Sequence, residues 1–444
     1  MKKEINKFLY FYRFLATVDI LNIPKLRFKD NNGNDYPQWN HSSFYNTFNF
    51  LSTNNYSRND MNSINGNIRN IHYGDILTKF NYIINTEKDI LPYLNDNIII
   101  KNLPNYIIQS GDIVIADTAE DYTTGKTCEI INSNNQLVVA GLHTMLCRPK
   151  QNIFALGFLG YFMNSNIYHN QLLPLITGIK VYSIIKKEII KTKISIPFIE
   201  EQKKIANFLT TVDKKIKNLA NTITSLENQK KGLLQQIFSQ KLRFKDENGN
   251  NYPQWEKKKL NEISDVSSGK RIPKGMQFPS IGKTFYITVS DMSENFVSPL
   301  NINTISDDIE NIIKKYKVFT GDIIISVAGT LGKINLITPL FNNANLTENC
   351  DRISNFKKVY NLYIFYFLKS NIIQETIKKS STLSSQPKLA LERIRNFNIL
   401  LPCLEEQTKI ADFLSAFDRK LDNQKAQLEH WQQIKKGLLQ QMFV

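Results

Sequence analysis

A mixed α+β fold is predicted, with two globular domains joined by two long helices that form an antiparallel coiled coil in an internal, pseudo-twofold repeat. The first observation behind it is a duplicated segment that we call the opening motif. Residues 25–39 read KLRFKDNNGNDYPQW, and residues 241–255 read KLRFKDENGNNYPQW. A repeat of this length indicates two domains rather than a solenoid of small units.

The second observation is a further duplicated segment, which we call the closing motif. The sequence IPFIEEQKKIANFL at 196–209 matches LPCLEEQTKIADFL at 401–414, and KKGLLQQ occurs at 230–236 and again at 435–441. The opening and closing motifs therefore frame two stretches of chain that differ from each other, and together we call them the frame. This arrangement suggests one scaffold that presents two different readers.

The third observation is a heptad pattern that continues from each closing motif. Apolar residues recur at alternating steps of four and three, which is typical of a coiled-coil seam, and Lys230 and Lys435 occupy the same slot of the two seams. A helix over 205–237 is about 50 Å long, and we expect it to meet the second helix antiparallel. The alternative is two amphipathic helices that pack separately on their own globules. The apolar seam positions are Ile205, Leu209, Val212, Ile216, Leu219, Ile223, Leu226, Leu233 and Ile237, and then Ile410, Leu414, Phe417, Leu421, Leu428, Trp431, Leu438 and Met442.

Each framed stretch carries short β-branched runs bounded by Gly, Asn or Pro, which predict strands. A Gly-Asp pair, at Gly111 and Gly321, precedes one of these runs in each stretch and is interpreted as a turn. Apolar helices are predicted at 158–166 and 363–371. The predicted strands are 97–101, 112–116 and 137–140 in the first stretch, and 285–289, 322–327 and 334–338 in the second.

The composition favours a polyanionic partner. The chain of 444 residues carries a formal net charge of +16, and a surplus of that size points most simply to nucleic acid. The four cysteines form no CxxC pair and the five histidines add no metal-ligand spacing, so we expect reduced thiols, no metal site and a cytoplasmic protein. Arg13 and Asp19 interrupt the apolar N-terminal run, which favours a helical arm over a signal peptide or a membrane span.

Several short motifs, each present twice and in the same order, resemble the specificity subunit of type I restriction–modification systems. They are the opening motif KLRF…YPQW, the P-x-x-E-E-Q segments (197–202 and 402–407), the F-L-x-x-x-D turns (208–213 and 413–418) and the KKGLLQQ endings. In the second stretch, GDIIISVAGTLG at 321–332 and SSQPK at 384–388 resemble the target-recognition domain of that family. The first stretch matches less closely, since IKVYS at 179–183 stands in the place of SSQPK.

The resemblance implies two target-recognition domains, each reading one half of a bipartite, asymmetric site on double-stranded DNA. It implies partners as well: two modification subunits that carry adenine methyltransferase chemistry and restriction subunits that translocate and cleave DNA. This chain is then not catalytic and holds no cofactor, while S-adenosylmethionine, ATP and Mg are expected on the partners. The implied domains are an N-terminal arm (1–23), target-recognition domain 1 (24–197), a central helical spacer (198–240), target-recognition domain 2 (241–402) and a C-terminal helical spacer (403–444).

Two other classes of function compete with this interpretation. A stand-alone methylase or nuclease is disfavoured because the chain has no Asn-Pro-Pro-Tyr or Asp-Pro-Pro-Tyr type motif and no G-x-x-x-x-G-K-[ST] phosphate loop. A coiled-coil adaptor that binds only proteins is disfavoured by the charge of +16 and the two divergent globules.

A DNA reader needs cations for phosphates and amide, hydroxyl or guanidinium groups for base edges. Loops that carry such groups supply the predicted DNA-binding residues. In the second domain they are Lys270, Arg271, Lys274, Thr330, Lys333, Ser384, Ser385, Gln386 and Lys388, and in the first they are Thr123, Thr124, Lys126, Thr177 and Lys180. The lysines of the first helix (203, 204, 214, 215 and 217) are interpreted first as solvated or protein-docking surface.

Overall fold

A computed structural model describes residues 24–133, 136–381 and 388–444. The predicted N-terminal arm (1–23) lies outside the described residues. Contacts divide the chain into two compact units: unit 1 comprises the residues up to Ala220 together with Gln427–Val444, and unit 2 comprises Asn221–Ala426. Each unit thus holds one globule and a part of both long helices. The domain bounds predicted from the sequence stay a prediction.

The first globule is built from short strands and helices that are numbered in chain order. The strands are β1 (Asn40–Ser43), β2 (Phe48–Leu51), β3 (Met61–Asn62), β4 (Arg69–Ile71), β5 (Ile83–Asn85), β6 (Tyr93–Leu94), β7 (Ile113–Ala116), β8 (Thr118–Ala119), β9 (Thr127–Ile131), β10 (Val138–Ala140), β11 (Thr144–Pro149), β12 (Tyr182–Ser183) and β13 (Lys193–Ile196). The helices are α1 (Phe44–Thr47), α2 (Tyr73–Thr78), α3 (Phe158–Phe162), α4 (Asn166–Leu172) and α5 (Lys186–Ile189), with 3-10 turns at Arg58–Asp60, Leu103–Tyr106 and Leu173–Leu175. The long helix α6 (Ile199–Phe238) follows.

The second globule follows the same plan with fewer strands. Its strands are β14 (Glu256–Lys259), β15 (Asp265–Ser268), β16 (Thr284–Ile287), β17 (Asn303–Ile305), β18 (Lys317–Val318), β19 (Ile323–Ser326), β20 (Ile334–Leu336), β21 (Ala344–Leu346), β22 (Cys350–Ser354) and β23 (Asn398–Leu401). Its helices are α7 (Leu260–Ile263), α8 (Asp307–Ile313), α9 (Asn361–Leu368), α10 (Asn371–Ser381) and α11 (Leu391–Arg395), with 3-10 turns at Val289–Asp291 and Pro339–Phe341. The long helix α12 (Leu404–Gln441) ends the chain.

Each globule contains two larger sheets and one strand pair in an equivalent place. In unit 1 the sheets have the orders β2-β11-β7-β9-β5 and β10-β4-β6-β3, and in unit 2 they have the orders β15-β22-β19-β20 and β17-β16-β21-β18. The antiparallel pair β1–β13 joins the ends of the first globule, and β14–β23 joins those of the second. Unit 1 adds one further pair, β8–β12. The mixed α+β class and the internal repeat are therefore confirmed.

Most of the predicted strands are confirmed because their β-branched side chains fill the core. All four residues of β7 and of β19 are buried, as expected for strands covered on both faces. The prediction of a strand at 97–101 is wrong. That run follows a turn at 96–97 and its Ile99 is 82% exposed, so it has neither a core to face nor a strand to pair with.

Two predictions about local chain direction need correction. The F-L-x-x-x-D segments at 208–213 and 413–418 are not turns, because they lie inside α6 and α12. The helix predicted at 158–166 ends at Phe162, and a new helix begins at Asn166, where the Ser165 hydroxyl accepts from the Tyr168 N–H and caps it. Within α3, a Cβ at Gly160 would collide with the carbonyl oxygen of Tyr82, so the backbone just before β5 approaches the helix closely there.

The two long helices run antiparallel within each unit. In unit 2, Glu227 of α6 is 2.9 Å from Lys425 of α12, and Lys230 of α6 pairs with Asp418 of α12. The residue numbers rise along α6 while those of their partners fall along α12, as in an antiparallel pair. Ile237 then shares a core with Ile410. In unit 1, Lys435 pairs with Asp213 at 2.7 Å, and the end of α12 shares a core with the start of α6. The coiled-coil prediction is confirmed over separate packing of the two helices.

The opening and closing motifs bind each other within each unit. In unit 1 the Arg27 guanidinium donates to both oxygens of Glu201 at 2.9 and 2.7 Å, and the Trp39 indole N–H donates to the same carboxylate at 3.1 Å. Arg243, Glu406 and Trp255 repeat this geometry in unit 2 with distances of 3.2, 2.7 and 3.0 Å.

We call this arrangement of arginine, glutamate and tryptophan the frame clamp. Both glutamates are fully buried, and a buried carboxylate is stable only when it is paired and hydrogen-bonded. The clamp therefore explains in physical terms why the opening and closing motifs recur together. Among the helices that the structure describes, none is both long enough and apolar enough to cross a membrane.

Candidate nucleic-acid interface

One end of a unit 2 sheet gathers most of the predicted DNA-binding residues of that unit. The strand ends Ser268 of β15, Ser326 of β19 and Cys350 of β22 meet there, since Ser268 pairs with Asp351 and Ser326 pairs with Cys350. The loops that extend from this end are 269–283, 327–333 and 347–349, and Lys388 pairs with Ala328 in the same place. We call this region the unit 2 loop end.

The predicted residues at the unit 2 loop end differ in how free their side chains are. Lys270, Lys274, Thr330 and Lys388 are exposed. Arg271 is exposed as well, but its guanidinium pairs with Glu348 at 2.5 Å. The predicted residues Ser384, Ser385 and Gln386 lie outside the described residues.

Lys333 has a different role in the structure. Its ammonium donates to the carbonyl oxygen of Met292 at 3.1 Å, so the side chain braces the 289–292 segment. An ammonium held in this way and only half-exposed is a poorer candidate for a phosphate contact than an exposed lysine, because fewer of its three N–H donors can reach a phosphate. The other lysines of the unit 2 loop end, Lys270, Lys274 and Lys388, are exposed to solvent and can extend toward a phosphate.

A buried carboxyl group lies directly behind the unit 2 loop end. Asp351 is 2% exposed, and burial raises the pKa of its carboxyl to about 6, although Ser268 donates to it and Lys388 and Arg395 lie near. Sequence reasoning missed Asp351, since CDRIS reads only as the start of a strand. The acid places a negative charge behind a cationic loop and so limits the local positive potential.

The equivalent end of unit 1 gathers that unit's predicted residues. There β7 ends at Ala116, opposite Thr144 of β11, and Ile115 pairs with Thr127 of β9. The connection 117–126 carries Thr123, Thr124 and Lys126. The pair β8–β12 brings the turn 177–183, with Thr177 and Lys180, to the same place. We call this region the unit 1 loop end.

Only some of the predicted unit 1 residues remain available at this end. Thr123, Thr177 and Lys180 are exposed. Thr124 is buried, and its hydroxyl lies 3.1 Å from the carbonyl oxygen of Asp121 and 3.3 Å from that of Tyr182. The Lys126 ammonium donates to the carbonyl oxygens of Leu77 at 3.2 Å and Phe80 at 2.9 Å, and burial lowers its pKa. Thr124 and Lys126 therefore support the fold rather than present free groups.

The unit 1 loop end also holds residues that sequence reasoning missed. Tyr122 and Tyr182 have their ring centroids 4.8 Å apart, and Tyr122 is 60% exposed. His143, in the loop before β11, lies beside Asp117. A lone histidine in AGLHTM carries no spacing signal, and the two tyrosines are far apart in sequence, so neither feature could be found without the fold.

No catalytic constellation emerges at either loop end. Across 24–133, 136–381 and 388–444, no group of three or more His, Cys, Asp or Glu side chains could hold a metal ion. Both loop ends combine a few cations with hydroxyl, amide or aromatic groups. These are the groups that contact phosphates and base edges in protein–DNA interfaces.

Comparison with known proteins shows what the chain is similar to. The family described as the type I restriction modification DNA specificity domain matches residues 252–430. The MjaVIII specificity subunit of Methanocaldococcus jannaschii is 27% identical over 285 residues, which cover 59% of this chain and 64% of the relative. The chain is similar to the specificity subunits of type I restriction–modification systems.

Further relatives extend the similarity along the chain. The putative MjaX specificity subunit of the same organism is 26% identical over 388 residues, covering 82% of this chain and 85% of the relative. The EcoBI specificity subunit of Escherichia coli is 28% identical over 125 residues, or 28% of this chain and 26% of the relative. All three relatives are named as specificity subunits of type I restriction enzymes.

Solved structures agree on the fold. The S subunit of the type I system from M. genitalium superposes with a TM-score of 0.54 at 16% identity, covering 95% of this chain and 99% of the other. A chain from a study of complex assembly and conformational transition in the type I system gives 0.55 at 16% identity, covering 91% and 97%. At this level of identity the similarity shows the fold alone.

Proposed function

We propose that each unit of this specificity subunit reads one half of a bipartite, asymmetric site on double-stranded DNA. The observation that carries the proposal is the contrast between the frame clamps and the loop ends. The clamps are the same in both units, whereas the loop ends carry different side chains on equivalent strands. A common scaffold with two different reading surfaces fits a site whose two halves differ in sequence.

Within each half-site, the exposed cations of the loop ends contact phosphates and the neighbouring polar groups contact base edges. In unit 2 the exposed candidates are Lys270, Arg271, Lys274, Thr330 and Lys388, and Ser384, Ser385 and Gln386 stay candidates from the sequence alone. In unit 1 the exposed candidates are Thr123, Thr177 and Lys180. Phosphate contacts position the protein on the duplex, and base contacts supply the specificity.

Two copies of one modification subunit are the partners that fit the repeated frame. The frame exposes the same apolar side chains twice, Leu26 and Phe208 in unit 1 and Leu242 and Phe413 in unit 2. Exposed apolar side chains that recur in this way suit protein docking. S-adenosylmethionine, ATP and Mg then bind to the modification and restriction subunits. The whole complex methylates and cleaves DNA in the cytoplasm.

A domain exchange tests the two-reader proposal. Residues 256–400, which lie between the second opening motif and the second closing motif, are replaced by the corresponding segment of another specificity subunit, and the complete system is expressed in a host lacking its own. Methylome sequencing is expected to show a bipartite motif in which one half changes and the other half stays the same.

A matched exchange of residues 40–195 provides the control and should change the opposite half-site. The frames that join each segment to the helices are nearly identical, so both chimaeras keep the frame clamp. A chimaera that alters both half-sites, or that folds, methylates and alters neither, contradicts the assignment of one reader to each unit.

A further inference from the structure

The loop before β11 holds His143 at the unit 1 loop end in an uncommon backbone conformation. The φ angle of His143 is 53°, in the left-handed region that few residues other than glycine adopt. The Asp117 N–H donates to the His143 carbonyl oxygen at 3.1 Å and holds this conformation. Backbone strain of this kind collects at functional sites, where the surrounding structure maintains it.

Neighbouring polar groups determine which ring nitrogen of His143 carries the hydrogen. The Thr118 hydroxyl donates to the Asp117 carboxylate at 2.8 Å. Its oxygen lies 3.4 Å from Nδ1 of His143, and the Asp117 carboxylate lies 3.6 Å from the same nitrogen. Because the threonine hydrogen is already committed to Asp117, its oxygen accepts, and Nδ1 carries the hydrogen. In the neutral ring Nε2 is then an acceptor.

The ring has the exposure and support that a reading residue needs. The side chain of His143 is 47% exposed, and its ring meets that of Tyr73 edge-on, with centroids 5.3 Å apart. The topologically equivalent loop of unit 2, before β22, carries Glu348, which pairs with Arg271. In both units, therefore, this loop offers a polar side chain that a residue from another part of the chain orients.

An acceptor at this position selects for particular bases. In the major groove, only adenine and cytosine present an amino group as donor, at N6 and N4. We propose that His143 accepts a hydrogen bond from an adenine or cytosine amino group in the half-site read by unit 1. Asp117 and Thr118 are positioning residues that fix the tautomer. The inference rests on the proposed function, because it names a base-reading residue of that interface.

Substitution of His143 by glycine tests the contact. Glycine adopts the left-handed conformation without strain, so His143→Gly should fold at least as stably as the native chain. The assay uses the complex with its modification subunits and duplexes carrying the native motif or each single-base variant. We expect discrimination at one adenine or cytosine position of the unit 1 half-site to fall about fivefold or more, with every position of the other half-site unchanged.

A second variant and a control guard against effects on folding. Asn tolerates the left-handed region better than most residues, so His143→Asn should also fold. Its amide reaches only as far as Nδ1 of the native ring, so it places no acceptor where Nε2 lies and should lose the same discrimination. Asn132→Gly is the control, because Asn132 has a φ of 59° at the opposite end of the same sheet and its substitution should leave the motif unchanged. A folded His143→Gly complex with the native base profile overturns the proposal.

Substitution of Asp117 by asparagine tests the tautomer separately. The new amide can donate to Nδ1, which moves the ring hydrogen to Nε2 and makes that atom a donor. The preferred base at the same position should then change from adenine or cytosine to guanine or thymine. Loss of discrimination without such a change would show that Asp117 acts only in folding and would overturn its positioning role. A native complex that methylates without any bipartite motif would instead refute the proposed function itself.

Discussion

In both units a lysine and an aspartate pair across the two long helices, but the residues that surround this ion pair differ between the units. In unit 2 the Lys230 ammonium pairs with Asp418 and lies 3.9 Å from Glu294, and Lys425 bridges Glu294 and Glu227 at 2.8 and 2.9 Å. The pair in unit 2 is therefore set in a network of charges.

In unit 1 the matching Lys435 pairs with Asp213 at 2.7 Å, but its other neighbours are the ring of Tyr82, with the ammonium 4.2 Å from the centroid, and the side-chain oxygen of Asn81 at 3.2 Å. A tyrosine hydroxyl donates to the aspartate in both units, from Tyr161 at 2.8 Å and from Tyr366 at 2.7 Å. The long helices thus supply the lysine and the aspartate, while the framed stretch supplies the remaining neighbours.

This difference shows which contacts of the buried lysine could differ between the two units without loss of the ion pair. A buried ammonium must be neutralised and hydrogen-bonded, but either a second carboxylate or an aromatic ring can contribute. The framed stretches could therefore change their contacts to the lysine while the coiled coil kept its register. The frame clamp has no such freedom, since its glutamate is fully buried and its side-chain donors all come from the opening motif.

The largest expected loss of stability comes from replacing either of two buried aromatic residues at the C-terminal ends of the long helices. Phe443 packs against Trp39, Phe158 and Phe162 in unit 1, and Phe238 packs against Tyr363 and Phe367 in unit 2. Each is at most 2% exposed. Substitution by alanine should cost about 4 kcal/mol of the unfolding free energy of the affected unit.

Thiol labelling in urea measures this effect unit by unit. Cys128 and Cys147 are buried in unit 1 and Cys350 is buried in unit 2. Phe443→Ala should lower the urea concentration at which the unit 1 thiols react, and Phe238→Ala should do so for the unit 2 thiol. Equal loss of protection in both units for either variant would show that the units unfold as one.

A somewhat smaller effect is expected from the buried lysines. Lys230→Met leaves Asp418 buried with only the Tyr366 hydroxyl as a partner, which should cost about 3 kcal/mol in unit 2. Lys435→Met should cost less in unit 1, because the side chains of Lys435 and Asp213 are 12% and 17% exposed against 7% and 9% for the unit 2 pair. The same thiol-labelling measurement compares the two variants.

Two further variants sharpen the comparison of the lysines. The double substitution Lys230→Met with Asp418→Leu should recover most of the lost stability, because it removes the unpaired charge. Lys425→Met provides the matched control at a more exposed pair and should cost less than about 1 kcal/mol. If Lys435→Met destabilises its unit more than Lys230→Met does, burial of the pair does not determine the cost.

The last expected effect, smaller than those of Phe238→Ala and Lys230→Met, separates the two units by pH. In unit 1, Glu129 accepts from Gly157 and Gly160 at 2.7 and 2.8 Å, yet burial raises its pKa from 4.5 to about 7. In unit 2, burial raises the pKa of Asp351 from 3.8 to about 6. A raised carboxyl pKa stabilises the fold below the unfolded pKa, and that stabilisation is lost as the pH rises through the folded pKa.

The contribution of Glu129 to the stability of unit 1 should therefore fall by about 2 to 3 kcal/mol between about pH 4.5 and 7, and that of Asp351 to unit 2 by a similar amount between about pH 3.8 and 6. Hydrogen exchange, corrected for the intrinsic rate at each pH, reports each unit separately. Glu129→Gln should remove this contribution from the profile of unit 1 alone, and Asp351→Asn should do so for unit 2 alone. A Glu129→Gln chain in which the stability of unit 1 follows the same pH profile as in the native chain would refute the assignment to Glu129.

The sequence by itself determined the parts of this protein that depend on periodicity and repetition. The heptad seam from Ile205 to Ile237 predicted a helix that runs from Ile199 to Phe238, because burial of one helical face follows from spacing alone. The duplicated opening and closing motifs predicted two similar units, and the family resemblance supplied the recognition role. The run at 97–101 marks the limit, since β-branched composition makes a strand only where a partner strand is present.

Only the tertiary structure decided which polar residues are free and which are engaged. Lys126 and Lys333 look like surface cations in sequence, but the fold surrounds their ammonium groups with backbone carbonyl oxygens. Glu129 and Asp351 carry no signal until strands bury them. His143 becomes a candidate reader because β7 and β11 bring Asp117 beside it. Pairing, burial and side-chain proximity are long-range properties, and no local pattern in a chain encodes them.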